Sequence, residues 1–166
     1  MKHVAAFMST SEDWETPEEV FNFWNHEYEF NLDAAASADN ARCSLFFTKE
    51  QDALRHPWVG NVWLNPPYSH GIGKWLQKAH DEVTKGNAEH VVCLIPARTD
   101  TAWWHDYVMK SDHIWLIRGR LRFSGSSINA PFPSCIVVFK SGWSDPWELR
   151  PKFFGWDWKK KVSEQR

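Results

Sequence analysis

The chain has 166 residues, a formal net charge of -2, 43% hydrophobic and 24% charged residues. That length suits one domain with a core of its own, needing neither disulfide nor metal staples. The balance of charge speaks against a strongly basic nucleic-acid module and leaves any polyanion contact to local clusters. Cys43, Cys93 and Cys135 are isolated and odd in number, and the eight His form no zinc pattern. No apolar run approaches the roughly 18 residues of a membrane span, and Ser11-Glu12-Asp13 comes too soon for a secretory leader. The expectation is a cytoplasmic protein with buried, reduced thiols, no metal and no membrane partner. Twelve Trp supply more large flat surface than a core of this size requires, and so offer stacking faces for flat ligands.

Residues 1–13 read as a flexible lead-in. Thr16-Pro17-Glu18-Glu19 is a helix start, with Thr16 as N-cap, Pro17 at the first helical position and Glu19 closing a capping box. Val20, Phe21, Phe23 and Trp24 give that helix its apolar stripe. A short strand over 29–33 ends in Asp33, and the Ala-rich stretch 34–42 predicts a turn plus a short helix. Leu45-Phe46-Phe47 suggests another strand. Val62-Trp63-Leu64 stops abruptly at Asn65-Pro66-Pro67, which cannot continue a ladder. Ile72, Trp75, Leu76, Ala79 and Val83 fall at helical spacing, with Gly86 placed to end the helix. Val91–Ile95 is the clearest buried strand. A helix then runs from Asp100 or Thr101 to about Met109, and 114–117 and 135–139 are further strands. From Gly142 the tail, with Trp143, Trp147, Trp156, Trp158 and Lys159-Lys160-Lys161, has no clear periodicity.

Strands that alternate with helices predict an open α/β sheet of largely parallel strands, whose ligand sits beyond the carboxyl ends. Three strand ends carry unusual chemistry: Asp33, Asn65 and Pro96-Ala97-Arg98. The central motif is Asn65-Pro66-Pro67-Tyr68. A ring-conjugated amino group is a weak nucleophile, so a site that methylates one must draw its nitrogen towards tetrahedral geometry. An Asn oxygen and an adjacent backbone carbonyl on a rigid turn would do that. The prolines fix φ and remove competing N–H donors, and Tyr68 offers a face on which a base could stack.

This tetrapeptide is a hallmark of amino-methyltransferases, and the chain resembles the phage DNA N-6-adenine methyltransferase (Dam-like) family. The resemblance runs from about Trp14 to Phe139, through Thr16-Pro17, Leu32–Ser37, Asp52-Ala53-Leu54, Val62–Tyr68, Pro96–Asp100 and Asn129–Pro133. It implies a compact, Rossmann-like class I methyltransferase fold over 14–142, with 143–166 as a Trp-rich extension ending in a basic tail. It also implies S-adenosyl-L-methionine as donor and adenine in duplex DNA as target. Phage or prophage origin and action in the bacterial host cytoplasm are implied by the same resemblance. In place of the usual Gly-rich loop stands Ala34-Ala35-Ala36-Ser37, whose small residues still permit close backbone approach.

By the same resemblance, Thr16, Pro17, Asp33, Ala34, Ala35, Ser37, Asp52 and Asn65 would hold the cofactor. Asp33 would accept from the cofactor's ammonium or else cap the following helix, Asp52 would accept from the cofactor's adenine N6 or else be solvated surface, and Glu50 is a candidate for the ribose hydroxyls. On the DNA side, Arg118, Arg120 and Arg122 would share one face of an extended segment at about 6.6 Å intervals, near the phosphate spacing of a strand. The alternative is a charged, protected edge. Arg98 could reach a phosphate or be paired internally. Phe123 or Phe132 could hold a flipped base against Tyr68, with Phe132 preferred. Other readings remain open: RNA adenine, cytosine N4 or a glutamine side chain as acceptor, or a non-catalytic DNA-binding relative.

Overall fold

The first helix, α1 (Glu18–Tyr28), buries Val20, Phe21 and Trp24 on one stripe, as the periodicity requires. Its start differs from expectation. The N-cap position is Pro17, without a side-chain cap, because Thr16 turns inward and gives its hydroxyl oxygen to the Trp63 indole and the Asn65 amide. The Pro17 carbonyl receives the N–H groups of Val20 and Phe21, and Glu18 and Glu19 suit the positive end of the helix. The helix ends at Glu29, a left-handed residue (φ 49°).

The computed structural model describes residues 14–69, 71–142 and 151–160. The lead-in 1–13, Trp143, Trp147 and Lys161 lie outside the described residues. Among the described residues seven strands form one sheet: β1 (Leu32–Asp33), β2 (Leu45–Phe46), β3 (Gly60–Leu64), β4 (Ala88–Pro96), β5 (His113–Ile117), β6 (Ser134–Lys140) and β7 (Lys152–Trp156). Their order is β2-β1-β3-β4-β6-β5-β7, and of the seven only β6 runs against the rest. The sheet is therefore mostly parallel, in a Rossmann-like arrangement.

Helices cover both faces. Trp63 meets Phe21 of α1, while Trp115 and Trp156 meet Trp24, all on one side of the sheet. On the opposite side lies α2 (Ile72–Thr84), which buries Ile72, Leu76, Ala79 and Val83 and sets His80 against Phe139 of β6. Seven fully buried residues, Val91 to Ile95 with Ile136 and Val137 opposite, explain why the middle of the sheet reads as an uninterrupted apolar run.

Three segments depart from the sequence reading. Residues 34–42 form turns and no helix, because their N–H groups bond to Asp33, Asn40, Ser37 and Phe47 rather than up a helical ladder. The helix after β4 is shorter than predicted: α3 (Ala102–Asp106) gives way at Tyr107 (φ -126°) to a 3₁₀ turn, Val108–Lys110. The tail adds β7, parallel to β5, with Trp156 fully buried against α1. Cys93 and Cys135 are buried as expected, but Cys43 is only half-buried. Burial and the nearby Asp33 push its thiol up to about 12, which favours the protonated thiol.

Candidate active site

The chain order reverses between β1 and β3: β2 lies on one side of β1, whereas β3 and β4 build outward on the other. Asp33 and Trp63 are register partners there, so the loops after both strands emerge side by side. Between them opens a cleft of about 760 Å³. This is the switch point at which open α/β sheets bind ligands.

Of the expected cofactor residues, Thr16, Asp33, Ala35, Ser37, Asp52 and Asn65 line the cleft, as does Glu50. Ala34 and Pro17 do not. Ala34 is fully buried, and its N–H extends the ladder to the Trp63 carbonyl (3.0 Å); Pro17 is buried at the start of α1. Asp33 is 3% exposed, and its carboxylate accepts from the N–H groups of Arg42 (3.0 Å) and Ala35 (3.4 Å). It therefore folds the 34–42 turn around itself while facing the cleft. Burial pushes its carboxyl above the ordinary range, and the Arg42 and Ala35 N–H groups and the Arg42 charge offset that only in part. Asp52 has left-handed backbone (φ 51°) and pairs with Arg55 at 3.0 Å on the surface. The exposed Glu50 carboxyl is held below its usual value by its own backbone N–H and by Thr48. Around the cleft, Glu15, Asp33, Asp39, Glu50 and Asp52 outnumber Arg42 and Lys49. Its lining suits a cation and repels a phosphate chain.

Asn65 lies just beyond the carboxyl end of β3, and Pro66 and Pro67 also line the cleft. Each end of the Asn65 amide is committed. Its Nδ2 donates to the Trp14 carbonyl and to Thr16 Oγ1 (3.1 Å), and its Oδ1 accepts from the Tyr68 hydroxyl at 2.7 Å. The same hydroxyl lies 3.1 Å from the Leu94 carbonyl. Burial, with Cys135 and Cys93 nearby, drives the Tyr68 phenol well above its usual value, so it remains a donor and cannot serve as a base. One of the two Oδ1 lone pairs is left for an incoming N–H.

The expected stacking face of Tyr68 is largely covered. The residue is 5% exposed, and its ring meets Phe123 (6.0 Å, 78°) and Phe132 (5.6 Å, 80°) edge to face. Phe123 is 1% exposed and belongs to the core, whereas Phe132 is half-buried. Trp14 completes the cluster, with its ring 5.3 Å from Phe123 and 5.2 Å from Phe132. Half-buried Trp14 and Phe132 are thus the rings left to face a ligand.

The three arginines do not form one ridge. β5 ends at Ile117, and Gly119 takes φ 81°, which breaks an extended run through 117–123. Arg118 lies on the strand side of that break, paired with Asp157 at 3.4 Å, although it is 77% exposed. Beyond it, exposed Arg120 and Arg122 alternate with buried Leu121 and Phe123, as the sequence pattern predicts for the second half of the segment. Arg98 is exposed just after β4, at the same end of the sheet. These cations lie off the acidic cleft.

Sequence reasoning missed Trp14 and Arg42. Trp14 lines the cleft beside the lead-in, and Arg42 donates to the Thr16 carbonyl at 2.6 Å. Neither has a local signal, since both act through partners far away in the chain. Among the described residues no group of three or more His, Cys, Asp or Glu is arranged to hold a metal, and no helix is long and apolar enough to cross a membrane.

Against known proteins, the family model for DNA N-6-adenine-methyltransferase (Dam) matches residues 5–149. The DNA N-6-adenine-methyltransferase of Escherichia phage T1 is 38% identical over 94 residues, which is 55% of this chain and 38% of that protein. YfdM of Escherichia coli (strain K12) is 35% identical over 65 residues, 34% of this chain and 71% of that protein. A crystal structure described as a type I restriction enzyme modification subunit from Vibrio vulnificus YJ016 superposes with a TM-score of 0.55 at 12% identity. That match covers 89% of this chain and 48% of the other. The chain spans less than half of both the phage protein and the Vibrio subunit.

Proposed function

Because the chain belongs to the DNA N-6-adenine-methyltransferase (Dam) family, we propose that it methylates the N6 amino group of adenine in DNA, with S-adenosylmethionine as the donor. The observation that carries this reading is the Asn65 amide, held at the mouth of the switch-point cleft with its oxygen towards the Tyr68 side and one lone pair to spare. The donor fits the cleft in size and charge: about 760 Å³ is ample for a molecule of its class, and the acidic lining matches its net positive charge. Asp33 supplies a carboxylate for its ammonium, Asp52 one for the N6 of its adenine and Glu50 one for its ribose hydroxyls, and Ala35 and Ser37 permit close backbone approach. When bound, it supplies an electrophilic methyl on a sulfonium.

The protein's own part is to prepare the acceptor. Asn65 Oδ1 accepts one N–H of the amine and the Pro66 carbonyl the other, which draws the nitrogen lone pair out of the ring. Pro66 and Pro67 hold those acceptors rigidly and bring no N–H of their own. An adenine reaches this depth only flipped out of the duplex, against Trp14 and Phe132. The methylated, cationic nitrogen then gives its proton to water, so no side chain is assigned as base. Phosphates are kept from the acidic cleft and met by Arg98, Arg120 and Arg122.

The test is incubation with tritiated donor and unmethylated duplex DNA, followed by nucleoside analysis. Label in N6-methyladenine supports the reading; label in RNA or protein alone overturns it. Asp33→Ala is expected to weaken donor binding by about tenfold or more in calorimetry. Since burial raises the Asp33 carboxyl and a cationic donor needs it ionised, wild-type affinity should fall on acidification above the ordinary carboxylate range. An unchanged affinity in the variant would take Asp33 out of the site. An Arg120→Ala/Arg122→Ala protein should bind DNA more weakly, and its log affinity should fall less steeply with log salt, the slope changing by about 2. Fluorescence anisotropy over a salt series reads this directly, and an unaltered slope would remove both arginines from the interface.

A further inference from the structure

We propose that Thr16 is a positioning residue that anchors the Asn65 amide with its oxygen end towards the acceptor amine; this rests on the methyl-transfer reading above. The two ends of a side-chain amide have nearly the same shape, so space alone does not choose between them. Their partners do. At the nitrogen end stand two acceptors, Thr16 Oγ1 at 3.1 Å and the Trp14 carbonyl. Turning the amide over would set its oxygen against the Trp14 carbonyl oxygen, which has no proton to give. The hydroxyls of Tyr68 at the other end and of Thr16 can each donate or accept, so the Trp14 carbonyl enforces the choice and Thr16 anchors the amide in it.

Thr16 acts twice in this arrangement. Its hydroxyl oxygen accepts from Asn65 and from the buried Trp63 indole at 3.3 Å, linking the amide to the strand that carries it. Its carbonyl accepts from Arg42 (2.6 Å) and from Ser124 Oγ (3.1 Å), and the adjoining Glu15 carbonyl takes the Ser124 N–H at 3.0 Å. Segment 14–16 is thereby tied to the loops after β1 and β5, and the Trp14 carbonyl is delivered to Asn65. Thr16 is 5% exposed with both hydroxyl lone pairs engaged, so its side chain serves Asn65 rather than a ligand.

The experiment compares Thr16→Val, which keeps the shape and removes the acceptor, with Thr16→Ser, which restores it. In steady-state methylation, Thr16→Val should lower kcat about tenfold or more, with the donor Kd by calorimetry within about twofold of wild type, and Thr16→Ser should recover most of the loss. A weakened donor Kd with kcat retained would overturn the proposal and return Thr16 to the donor site. A kcat unchanged in Thr16→Val would equally overturn it. The Asn65 side-chain amide protons, assigned by their loss in Asn65→Ala, give a readout independent of turnover. Both should be protected from solvent exchange in the wild type and in Thr16→Ser, and one exposed in Thr16→Val. Equal protection in all three proteins would overturn the positioning role even if no methyl transfer were found, whereas inactive wild type with the expected protection pattern would count against the methyl-transfer reading alone.

Discussion

Asn65→Ala is expected to lower methyl transfer by about 10²–10³-fold, with donor affinity changed far less. The size of the effect comes from the role of the amide. In the proposed reaction it is the acceptor that strengthens as positive charge develops on the amine, so its loss should fall on the transition state and therefore on kcat. Truncation also leaves the Trp14 carbonyl and Thr16 Oγ1 without the Asn65 donor, while the Tyr68 hydroxyl keeps the Leu94 carbonyl. Asn65→Asp separates the two parts. It preserves shape and an acceptor oxygen but presents no N–H to the Trp14 carbonyl, setting a carboxylate oxygen against a carbonyl oxygen. It should therefore also be largely inactive. Near-wild-type kcat in Asn65→Ala would take Asn65 out of the chemistry. A fully active Asn65→Asp would show that the donor side of the amide is dispensable.

Much of the fold was legible because it rests on short-range signals. Val91–Ile95, Ile72–Val83 and the break at Asn65-Pro66-Pro67 each state their structure within a few residues, and β4, α2 and the end of β3 match them. The misreadings came from competition for a single group. Thr16 has the local chemistry of an N-cap, but its hydroxyl is claimed by Trp63 and Asn65, 47 and 49 residues away. Tyr68 looks like a stacking face until Phe123 and Phe132, brought in from beyond β5, close around its ring. The arginine alternation holds for 120–123 and fails at Gly119, whose left-handed backbone the pattern of charges could not reveal. β7 escaped notice since its alternation is masked: Phe153 and Phe154 are both exposed, and only Trp156 is buried. The candidate site was read from strand ends, which sequence marks well. Trp14 and Arg42 joined it only through tertiary contacts.

The largest expected effect on stability lies behind the cleft wall, at Glu82. This carboxylate is 2% exposed in the last turn of α2, and it accepts from the Trp58 N–H (3.0 Å), Asn87 Nδ2 (2.9 Å) and Lys78 Nζ. Trp58 in turn gives its indole N–H to the Ala53 carbonyl at 3.0 Å and stacks on Trp75 at 6.2 Å, and both Ala53 and Trp75 line the cleft. Glu82→Ala leaves a buried N–H and a mostly buried ammonium without their acceptor, and should cost about 3–5 kcal/mol in denaturant unfolding. The pH dependence has a definite sign. Burial alone would raise the Glu82 carboxyl, but Lys78, Asn87 and the Trp58 N–H outweigh it and hold the group below its ordinary value. Its stabilisation is therefore complete above the unfolded-chain pKa and is lost as pH falls through the lower, folded one. The stability difference between wild type and Glu82→Gln should accordingly be wide at neutral pH and shrink as the pH falls below the ordinary carboxylate range. A difference that stayed constant across that window would mean that the charge of Glu82 contributes nothing. Loosening Trp58 also releases one wall of the cleft, so Glu82→Ala should weaken donor binding at temperatures where the protein is still folded. A lower unfolding midpoint with unchanged donor affinity would confine Glu82 to the core and leave the cleft wall standing without it.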